Sequence, residues 1–211
     1  MRLVTLPGVF APISDSWLLA QAVRGEVIPD ARVLDACTGS GVVGVAAALA
    51  GARVTCVDVS RRAVACAWLN ARLNGVRVRP RRGDLLEPVT DERFDVIAAN
   101  PPYVPAAAGT LPSRGPARAW DAGRDGRAVL DRLLAEAPPL LAPGGVLLLV
   151  HSDLVGADTT LARMRAAGLE AGVAARARGP LGPLMRERAG RGLLPPGTRE
   201  EEVLVLRGKR A

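Results

Sequence analysis

The chain has 211 residues, 49% of them hydrophobic but only 3% aromatic, which is enough apolar mass for one substantial core built from Val, Leu and Ala. Three cysteines without a C-x-x-C pair, and His151 as the only histidine, argue against a zinc site, a disulfide framework or a nucleophile that needs a partnered imidazole. The net charge of +7 fits either an anionic partner such as nucleic acid or the arginine-rich usage of a high-GC coding sequence, in which Lys209 is the only lysine.

No apolar stretch approaches the roughly 18 residues of a membrane span. Pro7, Pro12 and Asp15 interrupt any signal-peptide core. A cytoplasmic protein with no membrane partner and no metal site is expected. One domain spanning residues 1–211 accounts for the length, and no internal repeat is visible.

Residues 15–23 read as a short helix, part of an N-terminal segment (residues 1–30) expected to cap the ligand end. From residue 31 strands and helices alternate, the pattern of a mostly parallel sheet covered on both faces. Residues 32–35 form a first strand, 42–50 a helix and 53–58 a second strand. Residues 61–74 form a helix with Val64, Ala67, Trp68 and Ala71 at helical spacing and Ser60 as its N-cap. A third strand covers 76–81 and a fourth 94–99. The long loop 104–124 is of a length that is usually functional or disordered. Residues 127–137 are a helix, Pro138-Pro139 and Pro143-Gly144-Gly145 turns, 146–150 a fifth strand, 159–167 a helix and 169–177 a sixth strand. Residues 178–200 form an Arg/Pro-rich insertion without assigned structure. Residues 202–207 close the chain as a strand antiparallel to its neighbour.

Gly39-Ser40-Gly41-Val42-Val43-Gly44 matches G-x-G-x-x-G between a strand and a helix, with Asp58 about 20 residues on at the end of the next strand. Any adenosine-bearing cofactor suits that arrangement: glycines admit close backbone approach, the helix N-terminus favours an anionic group, and the carboxylate binds the ribose diol. Two features turn the reading away from a dinucleotide. Asp35 ends the first strand just before the loop, where its charge would repel a pyrophosphate but favour the ammonium or sulfonium of S-adenosylmethionine. Asp84 follows the third strand, where it is placed to accept from an adenine amino group.

Asn100-Pro101-Pro102-Tyr103 closes the apolar fourth strand, so it should sit at the carboxyl edge of the sheet, where open α/β sheets bind ligands. The prolines make a stiff turn. Asn100 Oδ1 and the Pro101 carbonyl then form two fixed acceptors for an NH2 group on a planar carbon, with Tyr103 as a flat wall. A carboxamide and an aminopurine both satisfy that description.

These motifs resemble the class I S-adenosylmethionine-dependent methyltransferases, and more narrowly the HemK-type family that methylates the glutamine side chain of peptide-chain release factors. The resemblance runs through residues 8–12, 15–19 and 33–41, Asp58, Asp84, residues 100–103 and the stretch 119–126. It implies a Rossmann-like class I fold with seven strands. It also implies methionine contacts from Asp35, Thr38, Gly39 and Gly41, a ribose contact from Asp58, an adenine contact from Asp84, and a place for Asp15 and Ser16 near the cofactor's amino-acid end. Ser14 departs from the acidic residue usual there. With no helical domain ahead of Pro12, the expected branch is the short one known from eukaryotes and archaea, whose members work with a small zinc-binding activator protein. The alternative is a nucleic-acid methyltransferase acting on an adenine or guanine amino group, for which residues 178–200 are the only candidate strand grip.

Overall fold

The computed structural model describes residues 1–211, and seven strands form its central sheet. They are β1 (Arg32–Ala36), β2 (Arg53–Asp58), β3 (Val78–Arg82), β4 (Phe94–Ala99), β5 (Leu141–Ser152), β6 (Leu169–Pro180) and β7 (Glu200–Arg210), in the order β3-β2-β1-β4-β5-β7-β6. The first five run parallel, whereas β7 is antiparallel to both β5 and β6. This is the expected Rossmann-like sheet. Its strand order reverses between β1 and β4, the place where such sheets open a crevice for ligands.

The helices are α1 (Ser14–Glu26), α2 (Val42–Leu49), α3 (Arg61–Leu73), α4 (Ala128–Glu136), α5 (Ala157–Ala166) and α6 (Pro183–Gly190). Strand residues alternate between two apolar layers, as a period of two requires. Leu34, Ile97, Leu147 and Leu149 pack with Leu130, Leu133 and Met164 of α4 and α5. Val33, Val96, Leu148 and Val150 pack with Leu19 and Val23 of α1, Val43 and Ala47 of α2, and Ala67 of α3. Ser60 caps α3 as expected, its hydroxyl accepting from the Ala63 N–H.

Two expectations are corrected. Pro143-Gly144-Gly145 is not a turn before a short strand but lies within β5, which begins at Leu141. The register against β4 slips between Phe94 and Val96, and Gly145 allows it because a Cβ there would stand 2.8 Å from the Ala142 carbonyl oxygen and 3.0 Å from that of Phe94. Residues 178–200 are not an irregular insertion either. They complete β6, turn through Leu181 and Gly182, and form α6; Leu181 of the turn and Met185 of α6 make a third apolar cluster with Val104 and Leu194. A pattern of small residues and arginines conceals that helix, because its apolar side is matched to a loop rather than to the sheet.

The N-terminal residues are fastened to α3 by two asparagines one turn apart. Asn70 Oδ1 accepts from Val4 N (2.8 Å) and its Nδ2 donates to the Val4 carbonyl (2.9 Å) and the Ser40 carbonyl (2.8 Å). Asn74 repeats the exchange with Arg2, at 2.7 and 2.6 Å. Four residues of helix rise about 6 Å and two residues of extended chain about 6.6 Å, so the spacings match. Replacing Asn70 with Ala strands the Val4 and Ser40 groups. It should cost about 1–3 kcal/mol in a urea unfolding curve and speed proteolytic cleavage within the first ten residues.

Candidate active site

A cavity of about 770 Å³ opens at the carboxyl edge of the sheet, lined by residues of the N-terminal segment, the glycine loop, the ends of β2 and β4, the loop after β4, and α6. One half is built on β1 and β2. Gly39 and Gly41 take left-handed φ values of 52° and 81°. A Cβ on Gly41 would stand 2.6 Å from Ala67 Cα, so the loop lies tight on α3, while Gly39 opens onto the cavity with nothing closer than 4.0 Å.

Asp35 is buried beneath this loop. Its Oδ2 accepts from Thr38 Oγ1 (2.5 Å) and from Gly44 N (2.9 Å). Burial still dominates and pushes its pKa up to about 7, against the lowering effect of those two donors. Asp58 ends β2 and accepts from Gly39 N (3.0 Å) and Ser60 N (2.8 Å). Burial raises its pKa as well. Each Asp58 oxygen keeps a second lone pair for a hydroxyl donor. Asp84 also lines the cavity but is half exposed, and sequence reasoning missed its partner: Arg132 of α4 grips both its oxygens, at 3.3 and 2.9 Å. The donors and acceptors fit S-adenosylmethionine. An acid poised near neutrality suits a cation, a carboxylate beside a glycine turn suits a diol, and the open Gly39 admits close approach.

The other half is Asn100-Pro101-Pro102-Tyr103 at the end of β4. Asn100 Nδ2 donates to Ser16 Oγ (3.1 Å), and the Ser16 hydroxyl donates in turn to Asp15 Oδ1 (3.2 Å). The Tyr103 hydroxyl donates to Asp15 Oδ2 (2.9 Å). The first turn of α1 therefore holds the tetrapeptide at both ends, and Asp15 and Ser16 act on Asn100 and Tyr103, a role the sequence did not suggest. Because Nδ2 is committed to Ser16, Asn100 Oδ1 is left as an acceptor with no protein donor. Burial, followed by the Asp15 charge, pushes the Tyr103 phenol well above its ordinary range, so it keeps its proton. Gly126 closes the motif from behind: at φ 73° any Cβ would collide with the Tyr103 carbonyl, which explains the glycine at the end of the 119–126 stretch.

The loop after the tetrapeptide folds back rather than hanging free. Val104 bridges to Asp121, and Ala106 N donates to the Gly123 carbonyl at 2.8 Å. Trp120 stacks at a tilt on Phe10, ring centroids 6.2 Å apart. Arg188 of α6 pairs with Asp121 at 2.7 Å, both largely buried. Of the arginines read as a strand grip, Arg178 pairs with Glu200, Arg191 with Glu187, and Arg186 donates to the Leu181 carbonyl. All three partners lie within residues 178–200 themselves, and it is the Arg188–Asp121 pair that reaches out of the segment to the loop after β4. His151 lies outside the cavity, buried in β5 between the Ser152 carbonyl and Thr160 Oγ1, with burial lowering its pKa to about 4.

The Asp35 geometry carries a pH signature. Folding favours its neutral form, so its contribution to stability is complete below the unfolded pKa of 3.8 and is lost as pH rises through about 7. Asp35→Asn cannot ionise. Its melting temperature in the absence of ligand should gain on that of the native chain as pH rises from 5 to 8, and a constant offset would contradict the buried-acid geometry.

Residues 1–111 match the family model described as the methyltransferase small domain. A Methanocaldococcus jannaschii protein, provisionally named as a protein N5-glutamine methyltransferase, is 35% identical over 186 residues, covering 88% of this chain and 93% of that one. A release factor glutamine methyltransferase of Geobacter sulfurreducens is 36% identical over 165 residues, 75% of this chain and 58% of the longer relative. Among solved structures, a methyltransferase from Pyrococcus furiosus superposes with a TM-score of 0.67 at 18% identity, covering 99% of this chain and 89% of that one. No helix is long and apolar enough to cross a membrane. By sequence similarity along most of its length, and by the fold that carries its motifs, the chain belongs to the HemK-type family of S-adenosylmethionine-dependent methyltransferases.

Proposed function

We propose that the chain methylates the side-chain amide nitrogen of glutamine in a peptide-chain release factor. The observation that carries this reading is the Asn100 amide, whose Nδ2 is committed to Ser16 and whose Oδ1 is left to accept. S-adenosylmethionine supplies an electrophilic methyl carbon held on a sulfonium. Asp35, Thr38, Gly39, Gly41, Asp58 and Asp84 hold it on the β1–β3 side of the cavity, with Asp15 and Ser16 between the two halves.

An amide nitrogen is a poor nucleophile because its lone pair is delocalised into the carbonyl. Asn100 Oδ1 and the Pro101 carbonyl accept its two N–H hydrogens. That orients the lone pair and stabilises the positive charge that gathers on nitrogen, a preorganised electrostatic effect combined with positioning. Tyr103 keeps its proton and serves as a wall against the planar amide, its ring fixed by Asp15. The names of the relatives support a protein acceptor, since they include glutamine methyltransferases of release factors and of ribosomal protein uL3.

The test is to incubate the chain with methyl-labelled S-adenosylmethionine and the cognate release factor, with RNA and DNA in parallel, first alone and then with a small zinc-binding activator protein. Label is expected in the release factor and absent when its Gly-Gly-Gln glutamine is replaced. Label in nucleic acid alone overturns the reading. Asn100→Ala should abolish transfer, a loss on the scale of a removed charge-stabilising group, about 100-fold or more, while cofactor affinity measured by calorimetry stays nearly unchanged. Equal loss of both would refute this division of roles.

A further inference from the structure

The solvent face of α1 changes character along its length. Its exposed positions recur at Ile13, Trp17, Gln21 and Arg24, a single stripe at helical spacing. The end nearest the cavity is apolar, and the stripe turns polar at Gln21. Ile13 and Trp17 are each 45% exposed. Ile13 caps the helix and lines the cavity, and its carbonyl accepts from Trp17 N at 3.2 Å, so Trp17 stands one turn beyond it. On the loop after β4, Leu111 is likewise exposed and lines the cavity. Two separate segments therefore bring apolar surface to one mouth.

The three tryptophans differ in their surroundings. Trp120 stacks on Phe10, and Trp68 of α3 carries the Arg72 guanidinium 5.3 Å from its ring centroid. Trp17 has no such partner. Single exposed apolar residues are ordinary on a protein surface, but a contiguous group beside a concave site marks a place where another molecule binds.

The first turn of α1 indicates what covers it. Asp15 and Ser16 on its inner side hold Tyr103 and Asn100, while Ile13 and Trp17 flank them on the outer side. A glutamine side chain is short. A protein that delivers its amide to Asn100 has to bring its main chain down onto the rim to which Ile13 belongs, and its neighbouring surface over Trp17. Nucleic acid fits less well. Base-stacking platforms interleave aromatic rings with cations for the phosphates, and the first basic residue on this stripe, Arg24, lies about 10 Å along the helix from Trp17.

We propose that Ile13 and Trp17 form a docking surface for the protein that carries the acceptor glutamine, Trp17 packing on an apolar patch outside the methylated loop. The inference rests on the glutamine reading above and adds a contact that a short peptide does not make.

The experiment compares two acceptors, the cognate release factor and a short synthetic Gly-Gly-Gln peptide, using the native chain, Trp17→Ala and Trp68→Ala. Trp17→Ala should lower kcat/KM for the release factor by about ten- to a hundredfold, the scale of a removed aromatic anchor. The loss should fall on KM, with kcat, the peptide's kcat/KM and S-adenosylmethionine affinity little changed. Trp68→Ala should alter neither acceptor's kinetics. An equal loss with both acceptors, or no loss with the release factor, overturns the proposal. Hydroxyl-radical footprinting of the native chain saturated with S-adenosylhomocysteine gives a second measurement. The release factor should protect Trp17 and leave Trp68 open to oxidation. An unprotected Trp17, or protection by RNA or DNA in place of the release factor, also overturns the proposal. If Trp17→Ala fails to fold, or the peptide is too poor an acceptor to measure, the footprint decides alone. A native chain that methylates neither acceptor refutes instead the function on which the proposal rests.

Discussion

The site depends on a short chain of hydrogen bonds through which the start of one helix grips the end of one strand. Asn100 donates to Ser16, Ser16 to Asp15, and Tyr103 to the other Asp15 oxygen. Asp15 and Ser16 are buried in the first turn of α1, where free backbone N–H groups and the helix dipole favour a carboxylate. The consequence is directional. An asparagine amide has one donor end and one acceptor end, and fixing the donor end decides what the other can bind. A site for an NH2 group requires that polarity.

The same grip explains why structure far from the chemistry is held so firmly. α1 packs its Leu19 and Val23 into the sheet, and the residues before it are tied to α3 through Asn70 and Asn74. Gly126 lets the returning loop pass against the Tyr103 carbonyl, and the buried Arg188–Asp121 pair ties that loop to α6. Burying an ion pair adds little net stability but fixes geometry, since a misplaced partner would leave a charge alone. This wall of the cavity is thus assembled from three separated stretches of chain, each fastened to a different part of the core.

Charge is distributed unevenly across the cavity for a physical reason. On the β1–β2 side, Asp35 is poised near neutrality by burial and Asp58 is raised as well, so a bound cation would draw both toward their ionised forms. Beside the tetrapeptide, the acids are mostly consumed: Asp15 by Tyr103 and Ser16, Asp121 by Arg188. Glu201 alone retains an unused oxygen.

Much of this was legible in the residue order. Alternating strands and helices, the glycine loop, and carboxylates at successive strand ends follow from local rules of periodicity and turn chemistry, which act over a few residues. The tetrapeptide's place at a strand end was readable for the same reason. The slip in β5 and the helix within residues 178–200 were not, because a Pro-Gly-Gly run and an arginine-rich stretch look like breaks until a neighbouring strand or loop supplies their partners. Nor could the order of residues reveal that Asp15 and Ser16 bond to Tyr103 and Asn100, or that Arg132 holds Asp84. Sequence determined which groups the protein owns and which local elements carry them. Only the packing of distant segments decided which lone pairs remain free, because a hydrogen bond is settled by distance in space and not along the chain.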